Sequence, residues 1–257
     1  MSSFELKTAA LYLSANITPW DTQSFGFGVA QINRVDCLTS DVGSALLDPF
    51  IRWLEKNDIR LVSARLPCEK LRESMLLERG GFRFVEVALH PYHDLPYPRL
   101  ENAGELVIEP ALHSDVPALQ AMASRAFPYG RIHADPRLGA ELGDLRYGRW
   151  VANCLAHPRQ RLLKVTNEDA AIAALFVVEA RDDMSVYWHL TAVSPDLRGR
   201  GTGWRVWHAM LARHANEGMS SVHTTITASN IPILNLYSKL GFHFSPPEMT
   251  FHWMREL

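Results

Sequence analysis

The run Arg198-Gly199-Arg200-Gly201-Thr202-Gly203 decides most about this chain. It follows an apolar strand-like run, Val186 to Val193, and the turn Ser194-Pro195-Asp196, and it precedes a helix-like run from Trp204 to Asn216. A glycine-rich turn between strand and helix aims backbone N–H groups at one point, where the positive end of the helix dipole also lies. That combination binds phosphate. Glycine is called for because a Cβ would obstruct positive φ angles and the approach of a ligand. A P-loop is excluded, since no Lys follows the glycines, and the G-x-G-x-x-G dinucleotide spacing is absent. The spacing here is Arg-x-x-Gly-x-Gly. Taken alone, it also fits a solvated turn ahead of a helix.

The chain has 257 residues, enough for one large domain or two small ones. With 47% hydrophobic and 21% charged residues it reads as globular, and a formal charge of -2 argues against a nucleic-acid partner. No apolar run approaches the roughly 20 residues of a membrane helix. Met1-Ser2-Ser3-Phe4-Glu5 lacks a basic-then-apolar leader pattern, and Cys37, Cys68 and Cys154 stand far apart. Both features point to a reducing, cytoplasmic setting without a disulfide framework. No metal-ligand spacing occurs among the histidines, and no metal site is expected.

Residues His90 to Pro98 carry three prolines and read as a linker between two halves, 1–95 and 105–257. The halves share an order of elements. In the first, a strand (Arg60 to Ala64), a helix (Glu69 to Arg79), Gly80-Gly81-Phe82 and a strand (Phe84 to Leu89) follow one another. In the second, a strand (Ser221 to Ile226), a helix (Pro232 to Leu240), Gly241-Phe242 and a strand (Met249 to Met254) do the same. Aligning the Gly-Phe pairs brings the upstream helices, Asp41 to Lys56 and Gly203 to Glu217, into register, with each glycine suited to a helix C-terminal αL position. Where the second half has its glycine loop, the first has Leu38-Thr39-Ser40-Asp41-Val42-Gly43. Only the second half is therefore expected to bind a phosphate-bearing cofactor. The remainder of that half reads as a strand from Glu105 to Leu112, a helix capped by Asp115, and a hairpin of Arg161 to Thr166 and Ala171 to Val178 turning at Asn167-Glu168-Asp169.

The loop, its lead-in Leu190-Thr191-Ala192-Val193-Ser194-Pro195 and the order of elements resemble the GNAT superfamily of acyl-CoA N-acyltransferases. The resemblance covers about residues 105–257 and, in degenerate form, the first half. It implies a mixed α/β (α+β) fold of two tandem GNAT-like halves, the first degenerate, with acetyl-CoA as cosubstrate. Arg198, Gly199, Arg200, Gly201, Thr202 and Gly203 would hold the pyrophosphate, and the backbone of Leu190, Ala192 and Val193 the pantetheine arm.

The segment from Asn230 to Phe242 resembles the family's closing motif, in which an Asn precedes a Tyr by seven residues. This implies that Tyr237 is the general acid for the departing thiolate. The aligned position in the first half is Leu77. A phenol stays protonated at neutral pH and can serve that role; a buried structural Tyr is the alternative. Asn230 reads as a helix cap first and a CoA contact second. His189, on the fourth strand of the pattern, is the candidate base for the amine proton. Alternation places it with Tyr187 and Thr191, opposite Trp188 and Leu190. A structural His beside a water chain fits equally.

Trp20 to Gly28, Arg131 to Arg137 and Tyr147-Gly148-Arg149-Trp150 resemble segments of the N-acetyltransferases acting on dTDP-4-amino-4,6-dideoxygalactose. That implies a nucleotide-linked amino sugar as acceptor. The stretch offers Arg131, His133, Asp135, Arg137, Tyr147, Arg149 and Trp150: the arginines suit a pyrophosphate, Tyr147 and Trp150 offer faces for a sugar or base, and Asp135 could hold the amine or a hydroxyl. An ordinary polar loop before a helix with inward Tyr147, Trp150 and Leu155 is the alternative. Acetylation of another amine, and a non-catalytic acyl-CoA-binding module, also stay open. Exposed final strands in both halves would permit a homodimer.

Overall fold

The computed structural model describes residues 3–40, 43–96 and 106–255. In chain order it contains β1 (Ser3–Lys7), β2 (Leu11–Ile17), α1 (Pro19–Phe25), β3 (Gly28–Cys37), α2 (Asp48–Lys56), β4 (Ile59–Pro67), α3 (Leu71–Arg79) and β5 (Arg83–Asp94). Next come β6 (Val107–Pro110), α4 (Val116–Ala126), α5 (Arg131–Ala134), α6 (Ala140–Cys154), β7 (Gln160–Thr166), β8 (Ile172–Ala180) and β9 (Ser185–Val193). α7 (Thr202–Asn216), β10 (Ser221–Thr224), β11 (Ile226–Thr227), α8 (Ile231–Lys239) and β12 (His243–Met254) follow.

These elements form two units. The first holds the described residues up to Ala88, the segment Ala134–Leu138 and the residues from Pro246 onward. The second holds the described residues of Leu89–His133 and Gly139–Ser245. In the first, β1, β2 and β3 are antiparallel neighbours, β3 runs parallel to β4, and β12 closes antiparallel on β4. Its core joins Leu11 and Leu13 of β2 to Phe50 and Leu54 of α2, Leu77 of α3, Phe82 and Phe251.

In the second unit β6, β7, β8 and β9 are antiparallel neighbours, β9 runs parallel to β10, and β5 closes antiparallel on β10. Both faces are covered. Phe176 and Trp188 pack with Val206, Trp207 and Met210 of α7 and Tyr237 of α8. Leu175, Val177 and Leu190 pack with Leu119 and Ala123 of α4 and Val151 and Cys154 of α6.

Each unit is thus closed by a strand from the other half of the chain, and a division between residues 95 and 105 does not separate them. His90 to Asp94, expected in a linker, belong to β5; Tyr97, Pro98 and the rest of 97–105 lie outside the described residues, as do Asp41 and Val42. Pro91 lies just outside the ladder to β10, which runs over Tyr92, His93 and Asp94. The second half's final strand, expected as an exposed edge, is paired with β4, and the first half's, which lies within β5, continues to a ladder with β10 at Tyr92 to Asp94. Asp115 is not a side-chain cap: it already has helical dihedrals, and its carboxylate turns back to the Leu112 N–H at 2.7 Å and to Lys164 at 3.0 Å. The hairpin turn is as expected, with Asn167 Oδ1 accepting the N–H groups of Asp169 and Ala171.

Candidate active site

The parallel ladder of β9 and β10 ends at Trp188↔Thr224, while β9 continues to Val193. Against β8, the register jumps from Val178↔Trp188 to Val177↔Leu190, so His189 is an extra, bulged residue. The bulge reorients the strand. Val186 and Trp188 face α7 and α8, whereas Leu190 and Ala192 face α4 and α6. The expected alternation therefore fails at this point. Thr191 turns to the side of Tyr237, while His189 meets the Trp150 ring of α6 at 5.8 Å and that of Tyr187 at 4.9 Å.

Beyond β9 comes the glycine loop. Gly199 and Gly201 have φ of +74° and +76°, and a Cβ on either would meet nothing within 4 Å. The turn itself requires glycine, and open space lies outside it. Gly201 precedes α7, which has no side-chain cap, so the first amides of that helix are left for another acceptor. Arg198 and Arg200 are exposed, and one Arg198 nitrogen donates to the Ala126 carbonyl at 3.3 Å. Asn230 caps α8, accepting the Ile233 N–H at 3.4 Å.

Tyr237 is fully buried (0% exposed), and its hydroxyl has no hydrogen-bond partner. Burial pushes its pKa up to about 12, against the opposing pull of Trp207, Thr191 and Thr224 around it. It therefore carries its proton at neutral pH. His189 Nε2 lies 2.9 Å from Glu179 Oε2, and Arg159 holds the other carboxylate oxygen at 2.9 Å. Burial lowers the His189 pKa, and Glu179 restores only part of the loss. A neutral imidazole donating Nε2–H to Glu179 keeps Nδ1 as an acceptor.

The expected acceptor residues divide. Arg131 and His133 lie in α5, and Tyr147 and Trp150 in α6, all within the second unit. The His133 ring rests on Gly143 and bonds Asp144 at 2.9 Å, while Tyr147 stacks parallel to it at 6.1 Å and meets Phe127 in a tilted contact at 4.5 Å. Tyr147, Trp150 and Leu155 also pack inward, as the plain helical reading required. Trp150 Nε1 donates to Gln160 at 2.9 Å.

Asp135 and Arg137 belong to the first unit. Asp135 is 1% exposed and is bonded by Arg137 Nε and Nη2 at 2.9 and 2.8 Å and by His252 Nδ1 at 2.9 Å. Burial opposes its ionisation, yet His252 and Arg137 hold the carboxyl well below the usual range. Both oxygens are engaged, so Asp135 anchors its segment and is not free to hold an amine.

Sequence reasoning missed Glu179, Thr224, Trp207 and His252. Glu179 becomes the partner of His189 only through the β8–β9 register, and His252 that of Asp135 only through folding. Trp207 read as one of many apolar residues in a helix.

The geometry agrees with known proteins. Residues 151–257 match the acetyltransferase (GNAT) domain. The dTDP-fucosamine acetyltransferase of Escherichia coli O6:H1 is 23% identical over 249 residues, covering 93% of this chain and 97% of its own. The GCN5-related N-acetyltransferase from Sphaerobacter thermophilus has a TM-score of 0.64 at 14% identity, covering 97% of this chain and 82% of that one. A tandem GNAT protein from the clavulanic acid biosynthesis pathway has a TM-score of 0.63 at 14% identity, covering 98% and 82%. The chain has the mixed α/β GNAT fold, carries an acetyltransferase domain over residues 151–257, and is an acyltransferase that uses acetyl-CoA.

Proposed function

We propose that the chain transfers the acetyl group of acetyl-CoA directly to the amine of a nucleotide-linked amino sugar, in the cytoplasm. The observation that carries the reading is the uncapped, glycine-led start of α7, directly after a strand that parts from its neighbour at Trp188. Loop amides from Arg198 to Gly203 and the two arginines hold the pyrophosphate. The backbone of Leu190, Ala192 and Val193 receives the pantetheine arm beyond the parting strands. Bound acetyl-CoA supplies the thioester. His189, or a water chain, takes the amine proton, and Tyr237 protonates the leaving sulfur. His189 and Tyr237 approach β9 from opposite faces, so a thioester in the gap lies between base and acid. The first unit serves as a GNAT-like partner without a cofactor loop.

The acceptor class is supported by the resemblance to the dTDP-fucosamine enzyme and by Arg131, His133, Tyr147 and Trp150 on α5 and α6. A mass-spectrometric acceptor screen tests it. Nucleotide-linked 4-amino sugars should be acetylated in preference to free amino sugars, amino acids and polyamines. Acetylation of one of the latter instead would retain the acyl transfer and discard the sugar nucleotide. Tyr237→Phe should lower turnover about 100-fold with acetyl-CoA affinity unchanged, as for loss of a general acid. Unchanged turnover would remove the acid role.

A further inference from the structure

Two donors in the second unit are buried with no hydrogen-bond partner and lie side by side: the Tyr237 hydroxyl and the Trp207 indole Nε1–H. Their rings pack edge-on at 6.5 Å, and Phe242 packs edge-on with Tyr237 at 4.5 Å. Buried donors are nearly always satisfied; the Tyr237 oxygen lies beside Trp207 and can accept the indole N–H, which leaves the phenol proton as the donor still without an acceptor. Trp207 also differs in this from Trp188, which is equally buried but donates its Nε1–H to His214 Nε2 at 3.1 Å. The two orphans come from α7 and α8. Thr191 and Thr224, the other polar groups around Tyr237 Oη, come from the two strands that part. Thr224 Oγ1 already donates to the Trp188 carbonyl at 2.8 Å, so its proton is committed elsewhere. An indole has only a donor to offer, and the phenol oxygen is the acceptor within its reach.

We propose that Trp207 is a positioning residue for acyl transfer, its indole N–H engaging Tyr237 Oη so that the phenol proton is turned toward the thioester sulfur. This rests on Tyr237 as the acid. The amine nitrogen bonds to the acyl carbon, the C–S bond breaks, and its electron pair goes to sulfur. Sulfur takes the Tyr237 proton, and the resulting phenolate accepts the Trp207 hydrogen bond until solvent reprotonates it after CoA leaves. The bond strengthens as charge forms on oxygen, which makes Trp207 matter more in the transition state than in the resting enzyme.

The test replaces Trp207 with 3-benzothienylalanine, which keeps the ring shape and removes only the N–H. Trp207→Phe is the second variant. Thiol release from acetyl-CoA is read with dTDP-4-amino-4,6-dideoxygalactose as acceptor and with water as basal acceptor. Turnover should fall about 10- to 100-fold, the range for a hydrogen bond to a charged group, with KM for acetyl-CoA unchanged. The same replacement in a Tyr237→Phe background should cost nothing further. Independently of turnover, the Trp207 indole proton resonance should move downfield on adding CoA and stay in place on adding desulfo-CoA. An equal loss in both backgrounds, no loss at all, or no response to CoA would overturn the proposal. Full turnover in Tyr237→Phe alone would instead overturn the acid assignment on which it stands.

Discussion

The two units open their parallel strands in the same way and fill the opening differently. In the first, the β3–β4 ladder ends at Ile32↔Ala64 and Asn33 bulges out against β2, as His189 does against β8 after Trp188↔Thr224. The following helices end alike. Phe82 N–H donates to the Leu77 carbonyl and Phe242 N–H to the Tyr237 carbonyl, each at 3.0 Å, after glycines with φ of +85° and +81°. Beyond the first opening, however, Lys70 donates to the Val35 carbonyl at 3.3 Å, and Glu73 accepts the Cys37 N–H at 2.8 Å. Lys70 also pairs with Asp36. No described side chain does the same for the backbone of Leu190 to Val193. Unpaired strand backbone must be satisfied. One unit does it with its own side chains; in the other, the proposed role of these groups is to receive the pantetheine arm.

The comparison breaks most readily at the loop. Gly201→Val puts a β-branched residue at a φ of +76° and projects it into the open space outside the turn. Acetyl-CoA affinity should fall more than about 100-fold by calorimetry, since the backbone donors of the phosphate site are displaced. Intact affinity would detach the loop from the cofactor. A smaller effect is expected at the first opening. Glu73→Ala leaves the Cys37 N–H without its acceptor and should lower unfolding free energy by about 2 kcal/mol in urea titrations. Acetyl-CoA should still bind once per chain, and a second equivalent would reveal a latent site there. The smallest effect concerns protons. The His189 pKa is lowered, so the neutral base is present at pH 7 and lost as pH falls through that lowered value. kcat/KM should follow, and His189→Gln should flatten this acid limb. An unaltered limb would assign the amine proton to water.

Much of the second unit was legible because its signals are local. Strand runs, the Asn167 turn, the glycine loop and the Gly-Phe helix end each depend on a few neighbouring residues. Pairing across the chain was not. Pro91 reads as a break under any local rule, yet β5 passes through it. Asp135 looked like a ligand-facing carboxylate because His252, far along the chain, cannot be placed beside it by spacing. The bulge at His189 left no mark, since β9 keeps alternating buried and half-buried residues on both sides of it. The mark is absent because helices cover both faces, so a strand that switches faces still buries the same kind of side chain.

The exchange of closing strands also sets an order of events during synthesis. The second unit is complete once Ser245 has been made, but the first must wait for β12 to lay Glu248 to Met254 along β4. The part of the chain that leaves the ribosome first is therefore the last able to finish folding, and until then the edge of β4 lacks its antiparallel hydrogen-bonding partner. Loss of the last strand would injure the opposite end of the sequence.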